Sequence, residues 1–272
     1  MAKGTVDRFV VADGHRLRLR WFARRSRPDA TVILFLHQGL GSVTQWRRFP
    51  ELLAAASGSA AVGYDRWGHG ASEPLILPRP PDFLEREAER ALPDVLDALG
   101  LDRVVLYGHS DGGTIALLAA AAHPGRVTAV ISEAAHVFYE NGTTSGFAQV
   151  IVDFEQGGLR DGLARHHGGN VDAMFHGWAD AWRSPAMQNW SMTARLPAVR
   201  CPTLVIQGAA DSHGSQAQVD AIANGVAGPV ETVVLPGIGH APHLEATETV
   251  VARVAAFLGR AKGEWLGGRG QG

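Results

Sequence analysis

Residues 108–112 read GHSDG and have the residue types and spacing of a turn that presents a serine nucleophile. An apolar, strand-like run ends just before them at Tyr107, and a helical pattern begins at Thr114. A sharp turn between a strand and a helix strains the serine backbone and exposes its Oγ, while glycines two residues to either side leave room for the crossing elements. The helix N-terminus directs free N–H groups to the same point. We therefore predict that Ser110 is a nucleophile.

A serine hydroxyl needs a base before it can attack a carbonyl group. His240 follows the last strand-like run of the chain, and Asp211 follows the run before it. Parallel strands end at one edge of a sheet, so we expect both side chains at the edge that carries Ser110. There His240 would be the base, and Asp211 would accept a hydrogen bond from the imidazole and fix its tautomer.

Hydrolysis through a serine nucleophile also needs N–H groups that donate to the negatively charged oxygen of the tetrahedral intermediate. The N–H of Asp111, directly after the serine, is one predicted donor. Another is expected in the loop after an early buried strand, where residues 37–42 read HQGLGS. We favour the N–H of Gly39, with Leu40 as the alternative, and expect His37 to brace this loop rather than to transfer protons.

The elements that must position these residues alternate along the chain between strands and helices. Strand-like runs cover residues 8–12, 16–22, 31–36, 60–64, 103–107, 127–132, 202–207 and 231–235, and helical patterns cover 45–56, 83–99, 114–122, 216–227 and 245–258. This alternation predicts an α/β fold with a mostly parallel sheet and helices on both faces. The first two runs flank an Asp-Gly pair, which predicts an antiparallel hairpin at one edge.

Residues 136–199 interrupt this alternation with an aromatic-rich, helical sequence. We therefore divide the chain into core segments 1–135 and 200–272 and a helical cap at 136–199. The side chains that we place in the substrate pocket are His109, Trp178, Trp182 and Trp190. Large aromatic side chains favour an apolar or aromatic substrate of modest size. The alternative, that the tryptophans only bury the cap on the core, stays open.

Composition narrows the class of protein further. The net charge is −2, which does not favour a nucleic-acid partner, and no segment is long and apolar enough to span a membrane. The chain has one cysteine and begins without the apolar stretch of a signal peptide, so we expect a soluble, cytoplasmic protein whose partner is a small-molecule substrate. The histidines lack metal-ligand spacing, and we expect no metal and no cofactor. The sequence gives no indication of the oligomeric state.

Taken together, these motifs resemble the α/β-hydrolase superfamily, in the group with a helical cap. The matching stretches span nearly the whole chain: HQG at 37–39 with Gly41, Ser42 and Trp46, DRWGHG at 65–70 with Ser72, GHSDG at 108–112, GAAD at 208–211, and Gly239 with His240. The chain order serine, aspartate, histidine is that of the superfamily. The resemblance implies an eight-stranded sheet and a cap that closes over Ser110. One departure is Gln38, where the superfamily usually has glycine.

The predicted activity is hydrolysis of a carboxylic ester of a small apolar or aromatic substrate through an acyl-enzyme on Ser110, and a lactone or a thioester would react in the same way. A serine at this position, rather than aspartate, separates the chain from dehalogenase and epoxide-hydrolase relatives. Alternatives with the same triad are C–C bond hydrolysis, perhydrolysis and proline aminopeptidase activity. The last needs acidic cap residues, for which Asp153, Glu155, Asp172 and Asp180 are candidates. A ligand-binding protein without catalysis is the alternative of another class.

Overall fold

The computed structural model describes residues 7–27, 30–140 and 144–265. Its strands are β1 (Asp7–Ala12), β2 (His15–Ala23), β3 (Val32–Leu36), β4 (Ala60–Tyr64), β5 (Val104–His109), β6 (Val127–Glu133), β7 (Thr203–Gly208) and β8 (Val230–Leu235). In the described chain these eight strands form one sheet in the order β1-β2-β4-β3-β5-β6-β7-β8. Strands β3 to β8 run parallel, and β1 and β2 are antiparallel, which confirms the predicted sheet.

The helices connect the parallel strands and cover both faces of the sheet. They are α1 (Phe49–Ser57), α2 (Phe83–Arg86), α3 (Leu92–Leu99), α4 (Asp111–Ala122), α5 (Thr144–Gln156), α6 (Leu159–His167), α7 (Val171–Arg183), α8 (Pro185–Gln188), α9 (Gln216–Gly225), α10 (Pro242–Glu245) and α11 (Thr247–Trp265). A π-helical turn at Glu87–Ala91 joins α2 to α3, and 3-10 turns cover Gly168–Asn170 and Thr193–Ala198.

The apolar sequence of β3 explains why helices cover both faces. All of its residues are buried, and neighbouring side chains point to opposite sides of the sheet. Ile33 and Phe35 pack in the cluster that contains α1 and α11 side chains. Leu34 and Leu36 pack in the other cluster, with side chains of α3 and α4. A continuous apolar strand of this kind is stable only between two layers of helices.

The predicted hairpin and helix ends agree with the structure except in detail. Asp13 and Gly14 both have positive φ, 45° and 79°, as the tight turn between β1 and β2 requires. Gly100 is left-handed at the end of α3, as a C-cap glycine should be. The helix expected from residue 45 instead begins at Phe49 and is preceded by turns, and α11 extends beyond the expected end at residue 258.

Between β6 and β7 the chain leaves the sheet and forms helices α5 to α8. Buried apolar side chains of α5, α6 and α7 form a cluster of their own, in which the rings of Phe154 and Phe175 stack with centroids 3.5 Å apart, while Trp182 and Met187 pack in the cluster of the core. The segment is helical, as expected, and the division at residues 136 and 199 stays a prediction. Residues 1–6 and 266–272, the outer ends of the predicted core segments, lie outside the described residues. No helix in the described part of the chain is long and apolar enough to cross a membrane.

Candidate active site

Ser110 lies in the sharp turn between β5 and α4. Its φ of 55° and ψ of −120° are strained for a residue with a side chain. The elements around it approach so closely that only glycine fits beside it: a Cβ on Gly108 would lie 2.0 Å from the carbonyl oxygen of Gly112, and a Cβ on Gly112 would lie 1.9 Å from that of Leu36. The Ser110 N–H donates to the Glu133 carbonyl at 2.8 Å and fixes the turn.

Three loops at one edge of the sheet bring Ser110, His240 and Asp211 together. The Ser110 Oγ lies 3.0 Å from His240 Nε2, and His240 Nδ1 lies 2.8 Å from Asp211 Oδ2. Because the carboxylate accepts from Nδ1–H, the lone pair of Nε2 faces the serine hydroxyl. This arrangement can take a proton from Ser110 and stabilise the resulting imidazolium.

The Asp211 carboxylate is held by several donors besides His240. Its Oδ1 accepts from the His213 N–H at 2.8 Å, and its Oδ2 accepts from Gln207 Nε2 at 2.7 Å. Burial alone would raise the pKa of Asp211, but the hydrogen bonds from His213 and His240 and the charge of His240 hold it well below its usual value. Asp211 is therefore ionised and can orient the imidazole.

The loop that carries His240 is fixed by a second carboxylate. Glu245 accepts from the Gly239 N–H at 2.7 Å and from the Ala241 N–H at 3.0 Å. The loop also packs directly on the end of β7, where a Cβ on Gly208 would lie 2.1 Å from the Gly239 carbonyl oxygen. The backbone is thus held by one hydrogen bond to Glu245 on each side of His240.

Two donors fix the peptide bond between Gln38 and Gly39, in the loop at residues 37–42. The Gln38 carbonyl accepts from Arg66 Nη2 at 2.8 Å and from the Gly41 N–H at 2.9 Å. A trans peptide directs its C=O and the following N–H in opposite directions, so the Gly39 N–H points away from Arg66. No acceptor among the described residues takes up this N–H. Gly39 can therefore donate to an atom in the cavity.

The N–H of Asp111 is also available to donate to an atom in the cavity. It is the first residue of α4, so its N–H has no acceptor within the helix. The Asp111 side chain is 3% exposed, and its Oδ2 has no hydrogen-bond partner among the described residues. Burial raises the pKa of this carboxyl, while the charge of Arg66, whose Nη2 lies 3.7 Å away, opposes the shift.

Residues 65–70, after β4, contact and support the loop at residues 37–42. The buried Asp65 carboxylate accepts from the backbone N–H groups of Val43 and Ala71 and from the guanidinium of Arg18. His37 Nε2 accepts from the Arg66 N–H at 3.1 Å. The pKa of His37 is well below its usual value because the ring is buried. His37 is therefore neutral and supports the loop.

A cavity of about 180 Å³ opens above Ser110. Its lining residues are Gln38, Gly39, Leu40, Ser110, Asp111, His136, Phe147, Val150, Trp178, Trp182, His213 and His240. Trp178 packs directly on the loop at residues 37–42, since a Cβ on Gly39 would lie 2.1 Å from its Nε1. Of the tryptophans predicted to line the pocket, Trp178 and Trp182 do so.

Two residues that we predicted in the pocket do not line it. The side chain of His109 points away from the cavity, under the turn, where it is 1% exposed and contacts Gln38 and the His240 carbonyl. Trp190 faces the core instead, and its Nε1 donates to Glu85 at 2.9 Å. The prediction failed because a residue's place in the sequence of a turn or insertion does not give the direction of its side chain.

The cavity also contains residues that the sequence analysis did not single out. Phe147 and Val150 lie one turn apart on α5, and their spacing could have indicated a common face. His136 and His213 flank His240, with ring centroids 6.4 Å and 4.4 Å from it. The signal for His213 was its proximity to Asp211 in the sequence, and the signal for His136 was its place just after a strand, which the sequence analysis weighed only as a candidate metal ligand.

Two groups of side chains in the described residues are close enough to hold a metal ion: His109, Glu133 and His243, and Asp211, His213 and His240. In the first group Glu133 already accepts from His243 Nδ1 at 2.8 Å and from the hydroxyl of Tyr107. In the second, Asp211 accepts from His240. A cation in either place would have to break these hydrogen bonds.

A family model described as "alpha/beta hydrolase fold" matches residues 31–195, more than half of the chain. The chain belongs to this family. A curated relative, Serine hydrolase BPHL of Mus musculus, is 30% identical over 202 residues, which cover 72% of this chain and 68% of that protein. The family places the strained serine turn and the loops around it within a hydrolase fold.

Solved structures of other α/β-hydrolase-fold proteins superpose over nearly the whole chain. The enol-lactonase from Burkholderia xenovorans LB400 gives a TM-score of 0.70 at 22% identity and covers 92% of this chain and 99% of its own. The 2-hydroxy-6-oxo-6-phenylhexa-2,4-dienoate hydrolase from Rhodococcus sp. strain RHA1 gives 0.79 at 15% identity and covers 93% and 98%. At these identities the likeness shows the fold.

Proposed function

We propose that this protein is a serine hydrolase that cleaves carboxylic esters, including lactones or thioesters, of small apolar or aromatic substrates. The observation that carries the proposal is the chain of contacts from Ser110 Oγ to His240 Nε2, at 3.0 Å, and from His240 Nδ1 to Asp211 Oδ2, at 2.8 Å. Ser110 and His240 line a cavity that has two free backbone donors and aromatic walls. A triad, an oxyanion hole and an apolar pocket are the parts that ester hydrolysis needs.

In the first half of the proposed reaction, the Ser110 Oγ attacks the carbonyl carbon while His240 Nε2 takes the hydroxyl proton. The carbonyl oxygen becomes negative and accepts hydrogen bonds from the N–H groups of Gly39 and Asp111. When the intermediate collapses, the bond to the alcohol or thiol breaks, and His240 returns the proton to the leaving group. The acyl group then remains as an ester on Ser110.

The second half repeats these steps with water. His240 takes a proton from water, whose oxygen attacks the acyl carbon, and the same two N–H groups hold the oxyanion. The bond to Ser110 Oγ then breaks, His240 protonates the serine, and a carboxylic acid leaves. Asp211 remains ionised throughout and keeps Nδ1–H directed at itself.

The walls of the cavity support an apolar or aromatic acyl or alcohol group. Phe147, Trp178 and Trp182 contribute large ring surfaces, and Leu40 and Val150 add aliphatic ones. A volume of about 180 Å³ suits a substrate of modest size. Such contacts act on ground state and transition state alike, so they select substrates without defining the reaction.

A second candidate substrate class is an ester or amide with an amino group beside the carbonyl, which includes the proline aminopeptidase alternative. The acidic cap residues considered for that role, Asp153, Glu155, Asp172 and Asp180, are exposed and outside the cavity lining. The Asp111 carboxyl favours this class instead, because it is buried in the cavity wall beside Ser110, its Oδ2 accepts no hydrogen bond from the described residues, and its ion pair with Arg66 is long, at 3.7 Å. A substrate ammonium would stabilise its ionised form.

Both proposals are tested with a panel of p-nitrophenyl esters, aryl lactones, aminoacyl esters and proline arylamides. We expect the native protein to hydrolyse apolar or aromatic esters and Ser110→Ala to be inactive on all of them. Asp111→Asn keeps the backbone N–H and removes only the charge, so it should lower kcat/KM selectively for amino substrates. Turnover by Ser110→Ala at the native rate would contradict the proposed reaction, and equal effects of Asp111→Asn on all substrates would contradict the amino class.

A further inference from the structure

Gln38 stands where the superfamily usually has glycine, and its side chain reaches a residue outside the predicted reaction steps. Gln38 Oε1 lies 2.8 Å from Nδ1 of His109. The other ring nitrogen of His109, Nε2, lies 2.7 Å from the backbone carbonyl oxygen of His240. His109 itself directly precedes Ser110 in the chain. One imidazole therefore joins the oxyanion loop, the serine turn and the loop of the histidine base.

The protonation of His109 fixes the direction of both hydrogen bonds. Burial lowers the pKa of His109 to about 3, with Glu133 opposing this shift and His243 and His240 adding to it, so the ring is neutral. A carbonyl oxygen can only accept, and therefore Nε2 carries the proton and donates to His240. Nδ1 must then accept, which requires the NH₂ group of the Gln38 amide. A half-turn about the last side-chain bond of Gln38 exchanges its oxygen and nitrogen and completes this chain of donors.

The surroundings of His109 leave its ring little room to turn. Its centroid lies 4.8 Å from that of His243 and 6.4 Å from that of Trp46, and the residue is 1% exposed. His243 is itself anchored, because its Nδ1 and its N–H both donate to Glu133, at 2.8 Å and 2.9 Å. The ring of His109 is therefore held in one orientation below the cavity.

We propose that Gln38 and His109 form a pair of positioning residues that hold the Gly39 N–H and the His240 ring in register with Ser110. This inference rests on the proposed function. Gln38 connects to the oxyanion donor through its own peptide, since its carbonyl is fixed by Arg66 and its side chain by His109. Loss of the pair would remove none of the reacting groups, but the distances between them would be held less precisely. Catalysis is sensitive to such displacements.

The first test replaces Gln38 with methionine, which has a similar length and no hydrogen-bonding amide. We expect kcat on a good ester to fall about tenfold, as for loss of one hydrogen bond, with KM nearly unchanged. Gln38→Gly, with the residue usual in the superfamily, should give a similar loss. The matched control is Gln218→Met, which removes another buried amide that bonds the backbone at Val137 and Phe138, outside the cavity lining. It should lower the melting temperature and keep kcat within about twofold of the native value.

A change in KM alone would show that Gln38 contacts the substrate directly, and an unchanged kcat would show that the pair has no positioning role. Either result overturns the proposal. In a double-mutant cycle with His109→Phe, the double variant should lose little more than the larger single loss, because both changes break one unit. Losses that multiply would contradict a pair.

The second measurement uses the native protein and does not depend on variants that fold. Nitrogen-15 spectra of the histidine rings should show His109 protonated at Nε2 and accepting at Nδ1 between neutral pH and the acid limit of folding. Protonation at Nδ1 would overturn the proposed direction of the contacts. Failure of the proposed function looks different, since it would appear as ester turnover that survives Ser110→Ala, whatever the Gln38 variants do.

Discussion

The two sides of the cavity are built in different ways. On the core side, the proposed catalytic groups are fixed by several polar contacts: Asp211 accepts from His213, Gln207 and His240, and backbone N–H groups on either side of His240 donate to Glu245. On the side of the insertion, Phe147, Trp178 and their neighbours meet the cavity through packing, with Phe147 and Trp178 ring centroids 4.5 Å apart.

This difference separates two properties of the enzyme. Polar contacts with fixed directions hold reacting atoms within the small tolerances that proton transfer needs. Apolar packing has no direction and tolerates exchange of side chains of similar volume. The core side should therefore determine the reaction, and the insertion should determine which substrates fit. The predictions below test this division.

The largest effect is expected on the core side. Ser110→Ala and His240→Ala should each lower kcat by at least about 10⁴-fold, and the double variant should lose little more, because triad members act as a unit. Steady-state kinetics of the three proteins checks this, with unchanged melting temperatures as the control for folding. If the two losses multiplied, Ser110 and His240 would not belong to one catalytic unit.

The division between the two sides could be predicted only in part from the sequence. The positions of Ser110, Asp211 and His240 could be predicted because each follows a strand, and the strands of a parallel sheet end at one edge. The directions of His109, at the end of β5, and of Trp190, in the loop after α8, could not, because packing decides which way these side chains point. The sequence showed that Gln38 departs from the usual glycine, but it did not indicate that the Gln38 side chain contacts His109.

A substitution of the buried Glu133, below the core side of the cavity, should mainly lower the stability of the fold. Burial alone would raise the pKa of Glu133, but the charge and hydrogen bonds of His243, with His109 and Tyr107, lower it to about 2. Glu133→Gln leaves a poorer partner for His243 in a buried site, and we expect a cost of about 3 kcal/mol in the free energy of unfolding. Thermal unfolding should show a melting temperature lower by roughly 6–10 °C.

The same carboxylate gives a pH dependence with a defined sign. Its pKa is lower in the folded protein than the ordinary value of 4.5, so its stabilisation is present above about pH 4.5 and is lost as pH falls toward about 2. The difference in unfolding free energy between the native protein and Glu133→Gln should shrink across this window. A difference that stayed constant with pH would mean that the ionised form of Glu133 does not stabilise the fold.

On the insertion side, Trp178→Ala should change the ranking of substrates. Loss of an apolar contact is worth a few kcal/mol at most, so kcat/KM ratios among short, medium and aromatic esters should shift roughly ten- to a hundredfold. Trp190→Ala is the matched control, because Trp190 lies outside the cavity lining. It should lower the melting temperature and leave the ratios unchanged. Equal substrate ratios in both variants would remove the distinction between the two sides.

The smallest expected effect comes from one hydrogen bond of that control residue. Trp190→Phe keeps most of the ring and removes the N–H that donates to Glu85. The free energy of unfolding should fall by about 1 kcal/mol, with kcat/KM unchanged for every ester tested. Urea unfolding beside the substrate panel measures both, and a selective loss of activity on aromatic esters would place Trp190 in substrate binding after all.

The most direct test of the central claim is covalent labelling of the native protein with a fluorophosphonate, followed by mass spectrometry of its peptides. The account predicts one phosphonyl group on the Oγ of Ser110 and loss of esterase activity in proportion to labelling. Labelling should be absent in Ser110→Ala and strongly slowed in His240→Ala, which lacks the base. A native protein that hydrolysed esters without labelling at Ser110, or that labelled equally fast without His240, would contradict the account.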